Sequence, residues 1–212
     1  RCTSRVDRIN ALEADARKLT DAQIREKTQE FRDRVSAGED EDAIMVEALS
    51  VAREAMDRHV GIRKILDPEH GFDGSRLPED VRATYERLRA EAAAAEPRQP
   101  EGDLLGGAEP VPGWVWTDLP NKLYEAVREI YPESRPPFRA RPFDVQLIGA
   151  MVLYEGRISE MKTGEGKTIV APLAAFLSCI EGRKIHVVTV NDYLVQRDRD
   201  WTYPFFRSAG MT

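Results

Sequence analysis

A chain of 212 residues with 42% hydrophobic and 32% charged content is long enough for one large or two small domains with real cores. Its net charge of -6 and pI near 5.3 argue against a protein whose main task is to wrap nucleic acid, because such domains are usually basic. No apolar run approaches the roughly 18 residues of a spanning helix, and the first residues lack the apolar core of a secretory signal, which predicts a cytoplasmic protein.

Residues 1–61 carry 11 Lys/Arg and 14 Asp/Glu, no proline, and three runs of helical periodicity. In the first, Val6, Ile9, Leu12, Ala16 and Leu19 recur at three- and four-residue steps and so share one face. Thr20 opens the second, with Gln23 three residues on completing a capping box, Ile24, Phe31 and Val35 as apolar anchors, and Gly38 ending it. The third spans about 42–60, with Ile44, Ala48, Val51, Ala55 and Met56 inward and Gly61 at its C-cap. Three such helices must bury their stripes against one another or against a neighbour.

The composition then changes: 11 of the 13 prolines fall between residues 64 and 142, and residues 64–140 carry 10 basic against 15 acidic groups. Pro78 at a first helical position begins a run with Val81, Tyr85, Leu88 and Ala92 on one face. A Pro/Gly-rich linker is expected over 96–113. Trp114 and Trp116 flank Val115 in an extended pattern, read as an anchor of this module on its neighbour. Thr117 or Asp118 caps, and Pro120 starts, another helix carrying Leu123, Val127 and Ile130, which Pro132, Pro136 and Pro137 stop. Residues 64–140 thus read as an acidic helical insertion with a flexible middle.

From Arg141 the charge is nearly balanced, with 9 basic and 8 acidic groups, and the pattern becomes α/β. A helix over 144–154 closes at Gly156, residues 157–161 form a short strand, a helix from Lys167 to Ile180 closes at Gly182 despite Pro172, and Ile185 to Val190 reads as a buried parallel strand. Cys2 and Cys179 make neither a disulfide framework nor a metal cluster, and Cys179 reads as a small core residue.

Between the expected strand and helix stands Met161-Lys162-Thr163-Gly164-Glu165-Gly166-Lys167-Thr168. Its last six residues suit a backbone loop that holds a nucleoside triphosphate. Gly164 and Gly166 let successive N–H groups converge on phosphate, Lys167 adds charge, and the Thr168 hydroxyl can ligate Mg²⁺. Five specified residues in this order arise by chance in about one chain of this length in 10⁴, so a bland glycine turn is the weaker reading. The full pattern begins with Gly, where this chain has Met161. Upstream, Gln146 can both donate to and accept from an adenine edge, which favours ATP over GTP, and Phe143 offers a flat face for the base. Downstream, Asn191 or Asp192 caps a further helix.

Phe-Asp-Val-Gln at 143–146, the run at 161–168 and Val-Thr-Val-Asn-Asp-Tyr-Leu at 188–194 together resemble the SecA family, ATPase motors of bacterial protein export. Glu165 and Met161 are usual in that family, and Lys27-Thr28-Gln29-Glu30-Phe31-Arg32 and Gly61-Ile62-Arg63 are also similar to it. The resemblance covers about 4–63 and 141–212, so the expected domains are N-terminal helices (1–63), the insertion (64–140) and the first part of a nucleotide-binding domain (141–212). It implies the start of a helicase-like (RecA-like) parallel-sheet motor domain. Gln146 would contact adenine, Arg141 and Phe143 would border it, Thr163, Gly164, Glu165, Gly166, Lys167 and Thr168 would wrap the phosphates, Lys167 would neutralise charge, and Thr168 would hold Mg²⁺.

The implied partners are a SecYEG-type membrane channel, preproteins, an export chaperone and the anionic membrane surface, with the full-length protein a homodimer on the cytoplasmic face of the plasma membrane and no nucleic acid expected. The acidic Asp-Glu-Ala-Asp-type motif and the arginine finger of such motors do not occur in these 212 residues. The resemblance therefore implies an N-terminal fragment that does not turn over ATP alone. Rival readings are a nucleic-acid helicase of the same superfamily and an interaction module without activity.

Overall fold

The computed structural model describes residues 2–100 and 108–211. The α-helices among them are α1 (Cys2–Ala16), α2 (Asp21–Ser36), α3 (Glu41–Met56), α4 (Glu79–Ala94), α5 (Asn121–Ile130), α6 (Asp144–Tyr154), α7 (Lys167–Ile180) and α8 (Asp192–Ser208). Packing divides the chain into two compact units. The first runs to Ala55 and resumes from Pro142 to Met211; the second is Met56–Arg141.

In the first unit the amphipathic stripes meet as their periodicity requires. Val6 and Ile9 of α1, Ile24 and Phe31 of α2, Ala48 and Leu49 of α3, Leu147 and Met151 of α6, and Leu173 and Phe176 of α7 are all buried. Phe176 meets Phe205 of α8 with ring centroids 5.8 Å apart. The Thr20 capping box forms in both directions, Gln23 N donating to Thr20 Oγ1 at 3.2 Å and Thr20 N to Gln23 Oε1 at 2.8 Å. On the helix surface Asp42 accepts from Arg5 Nε at 2.6 Å and from Arg8 at 2.5 Å. Those two hydrogen bonds, Arg5 first, hold the Asp42 carboxyl below the usual aspartate range.

The expected parallel sheet is absent: among the described residues the only β pairing is an isolated antiparallel bridge between Arg98 and Val111. Residues 157–161 and 185–190 form no strands. Ile158, Val188 and Val190, expected in a sheet core, are 95%, 90% and 88% exposed. The reason is physical: a β-branched run fits a pleated surface but cannot make a ladder without a neighbour to exchange hydrogen bonds with. Helices satisfy their own backbone, so the helical expectations survive where the strand expectations do not.

The composition shift sets in at residue 64, yet the second unit begins at Met56, because Asp57, Arg58, His59 and Arg63 bury themselves with the segments that follow. After α3 the chain widens into a π turn (Asp57–Gly61) and then tightens into a 3₁₀ turn (Ile62–Leu66) instead of stopping at Gly61. Gly61 is not a left-handed cap: its φ is -98°. Its lack of a side chain serves a crossing, since a Cβ there would lie 2.5 Å from Ala140 N and 2.8 Å from the Arg139 carbonyl carbon.

Around this turn the Asp57 carboxylate accepts from Arg139 Nε at 3.0 Å, from Arg128 Nε at 3.3 Å and from Ala140 N at 3.1 Å. Arg58 lies 4.5 Å over the Tyr124 ring, and Arg63 donates to the Val115 carbonyl at 2.7 Å. The apolar core gathers Ile62, Phe72, Leu77, Tyr85, Leu123 and Phe138, with Phe72 against Tyr85 and Phe138 at 5.3 and 5.2 Å. Gly113–Trp116 is a 3₁₀ turn and not extended, and Trp114 packs on this unit's own core. The expected linker keeps the Arg98–Val111 bridge, while its middle, 101–107, lies outside the described residues.

Two consequences are measurable. Asp57→Ala removes the carboxylate shared by two buried guanidinium groups and is expected to destabilise the protein by about 3–5 kcal/mol in urea unfolding. Because the folded Asp42 pKa lies below its unfolded value, its contribution is full above about pH 3.9 and is lost as pH falls through the lower folded value. The stability gap between the native protein and Asp42→Asn should therefore be present at pH 7 and close in strong acid, as thermal unfolding at both pH values will show.

Candidate functional site

Gly164 and Gly166 adopt φ of 91° and 72°, in the left-handed region where only glycine is unstrained. That pair of reversals turns the chain into α7 with Gly166 as its N-cap. The first-turn N–H groups of α7, including those of Lys167 and Thr168, lack intrahelical acceptors by construction, and the helix dipole adds positive potential there. Thr163, Gly164, Gly166, Lys167 and Thr168 are exposed, so the loop presents these groups outward.

The loop also holds itself. Glu165 Oε2 accepts from Lys162 N at 2.7 Å, and Lys167 Nζ donates to the Lys162 carbonyl at 3.0 Å. Met161, the departure from the usual first glycine, packs beside α6 and α7: a Cβ built on Gly149 would stand 3.2 Å from the Met161 sulfur and 3.1 Å from Val170 Cγ1. A thioether at this point anchors the start of the loop as a glycine would not.

Gln146, in the first turn of α6, is 2% exposed. Its Oε1 accepts from Phe143 N at 2.7 Å, and its Nε2 donates to the carbonyls of Glu165 at 2.9 Å and Gly166 at 3.2 Å. The structure thus brings Phe143, Gln146 and the glycine loop into one cluster within the first unit. Phe143, as N-cap of α6, is 50% exposed. Arg141 is the last residue of the second unit, where its carbonyl accepts from Ser134 Oγ at 2.8 Å. Asn191 caps α8 by accepting from Leu194 N at 2.9 Å.

One group of residues around this cluster escaped the sequence reading. Arg53, 2% exposed, donates to the Pro142 carbonyl at 3.0 Å, to Asn10 Oδ1 at 2.5 Å and to the Asp144 carboxylate, and Asn10 Nδ2 donates in turn to Asp144 at 3.3 Å. The available signal was a basic residue inside the apolar run Val51-Ala52-Arg53-Glu54-Ala55-Met56.

A glycine loop tethered by a carboxylate thus opens α7 and is clamped by a glutamine from the preceding helix. The family model described as SecA DEAD-like domain matches residues 1–66 and 79–212. The match takes in 79–140, which the motif resemblance left aside, and passes over 67–78. Among curated proteins, the chain is 34% identical over its whole length to the chloroplastic protein translocase subunit SecA of Ostreococcus lucimarinus, covering 14% of that protein. It is 32% identical over its whole length to the protein translocase subunit SecA of Carboxydothermus hydrogenoformans, covering 15%, and 35% identical over 98% of its length to that of Pelobacter propionicus, covering 14%. The chain belongs to the SecA family. It spans about one seventh of the length of these relatives.

The two loop glycines differ in a way that substitution will reveal. An added Cβ at Gly164 meets nothing within 4 Å, whereas one at Gly166 falls 2.4 Å from Gln146 Nε2. Gly164→Ala should incur only the left-handed backbone cost of about 1–2 kcal/mol, and Gly166→Ala measurably more. Equilibrium unfolding of the two variants side by side gives the difference.

Proposed function

We propose that the chain is the ATP-binding part of a SecA-type translocase subunit, which as an intact protein couples ATP hydrolysis to the movement of preproteins through a SecYEG-type membrane channel. The observation that carries this reading is the left-handed pair Gly164 and Gly166, which delivers Lys167 and Thr168 to the start of α7 beside a buried Gln146. The donor set fits a triphosphate with magnesium. Backbone N–H groups and an ammonium face one anion, and a lone hydroxyl suits Mg²⁺, a cation that takes few protein ligands and completes its shell with phosphate oxygens and water. Mg²⁺ would neutralise charge on the phosphates during transfer.

The residues divide the work by position. Lys167 exchanges its bond to the Lys162 carbonyl for phosphate oxygens. Gln146 exchanges its bonds to the Glu165 and Gly166 carbonyls for the adenine edge, and the half-exposed Phe143 ring covers the base. Thr163 and Glu165 shape the loop, and the role of Arg141 beside the base rests on the family resemblance alone. Hydrolysis belongs to the intact protein, in which an acidic motif and an arginine finger complete the site.

The wider reading follows the relatives, whose names describe protein translocase subunits. Among the described residues no helix is long and apolar enough to cross a membrane. On this reading the intact protein works as a peripheral protein on the cytoplasmic membrane surface. An export chaperone and a second copy of the intact protein complete the set of proposed partners.

Titration of the intact protein with a fluorescent ATP analogue tests the reading. Lys167→Ala is expected to weaken binding at least tenfold, about 1.4 kcal/mol or more. Turnover in the intact protein should rise with a preprotein and channel-bearing membranes; stimulation by RNA instead would assign it to the nucleic-acid helicases.

A further inference from the structure

We infer that Arg53 is a positioning residue for base recognition, fixing the segment from which Phe143 and Gln146 meet the nucleotide. The inference rests on the reading of this cluster as an ATP site and names how its base selectivity is set. Arg53 acts through the backbone that carries Phe143 and Gln146, which it holds at Pro142 and Asp144.

The geometry is a three-point pin. Arg53 Nε holds the Pro142 carbonyl at 3.0 Å, and its guanidinium holds the Asp144 carboxylate two residues later. Between these, Phe143 N is held by Gln146 Oε1 at 2.7 Å. Residues 142–146 are thereby fixed on both sides of the exposed Phe143 ring, and Gln146 is aimed at the loop carbonyls. The anchor is itself braced by α1: Asn10 accepts from Arg53 and donates to Asp144, closing a triangle, with Glu13 Oε2 3.5 Å from the guanidinium.

Physical chemistry favours arginine here over any other cation. A guanidinium shut away from water has five N–H donors in a fixed fork, and the three directions used lead to α1, to Pro142 and to α6. Lysine keeps the charge but cannot span those acceptors in one plane. Displacement of the segment by even a fraction of an ångström would spoil a hydrogen-bonded base edge while leaving the triphosphate cradle, built on Gly164 to Thr168, where it is. Loss of the pin should therefore cost base recognition and spare phosphate recognition.

The test compares ATP, GTP and inorganic tripolyphosphate on the intact protein and on Arg53→Lys and Asp144→Ala, each with Mg²⁺. Asp144 is half-exposed, so its variant keeps the question open if Arg53→Lys does not fold. The expected result is that ATP binding weakens about tenfold, the loss of roughly one hydrogen bond, while tripolyphosphate and GTP affinities change less than about twofold. An unchanged ATP-to-GTP ratio in both variants overturns the inference. So does an equal loss for all three ligands, which would mark Arg53 as structural only. A native protein that binds none of the three overturns the ATP-site reading and the inference with it; one that binds tripolyphosphate with no preference for ATP overturns the inference alone.

Discussion

A guanidinium enclosed by protein must find an acceptor for almost every N–H it carries, and that demand organises both units of this chain. Arg53, Arg58 and Arg63 stand in α3, in the π turn that follows it and in the 3₁₀ turn after that, and all are at most 2% exposed. Arg53 gathers α1, Pro142 and the start of α6. Arg63 reaches the Val115 carbonyl, and Arg58 lies on the Tyr124 ring. Asp57 supplies the complementary case, one buried carboxylate shared by Arg128, Arg139 and a backbone N–H. Each such group is stable only if distant segments arrive together, so these contacts specify the arrangement more than they stabilise it.

That division explains what could be read in advance. The helices were legible because their signals are local: the Thr20–Gln23 capping box, the proline starts near 78 and 120, and the glycines after α2, α6 and α7 all lie within a few residues of what they control. The turn at Gly164 and Gly166 was legible because glycines specify backbone angles directly. The sheet was not, because alternation and β-branching describe a surface and say nothing about whether a partner strand is at hand. Arg53 was not, because its partners lie 43, 89 and 91 residues away in sequence. Gly61 was misread for a related reason: glycine marks either a left-handed turn or a close approach, and only the distant Arg139–Ala140 backbone decides between them.

The candidate site combines an open surface with satisfied chemistry. Two charged side chains of the loop are bound to its own backbone, Glu165 to Lys162 N and Lys167 to Lys162 O, and the Gln146 amide is turned to carbonyls of the same loop. Each of these bonds is a single, surface-accessible exchange for a ligand to make, apart from those of Gln146, which is buried. Opening this cluster therefore costs more at the buried Gln146 than at the exposed loop.

The contact of Asp57 and Gly61 with Arg139 and Ala140 means that the second unit begins and ends at one doorway. A segment whose two ends are fastened side by side closes its own loop, so the length of chain between them adds only a slowly growing entropic cost. Sequence can be gained or trimmed inside such a unit without moving its threshold. The bare Cα of Gly61 is the hinge pin of that doorway, and a side chain there would force the two jambs apart.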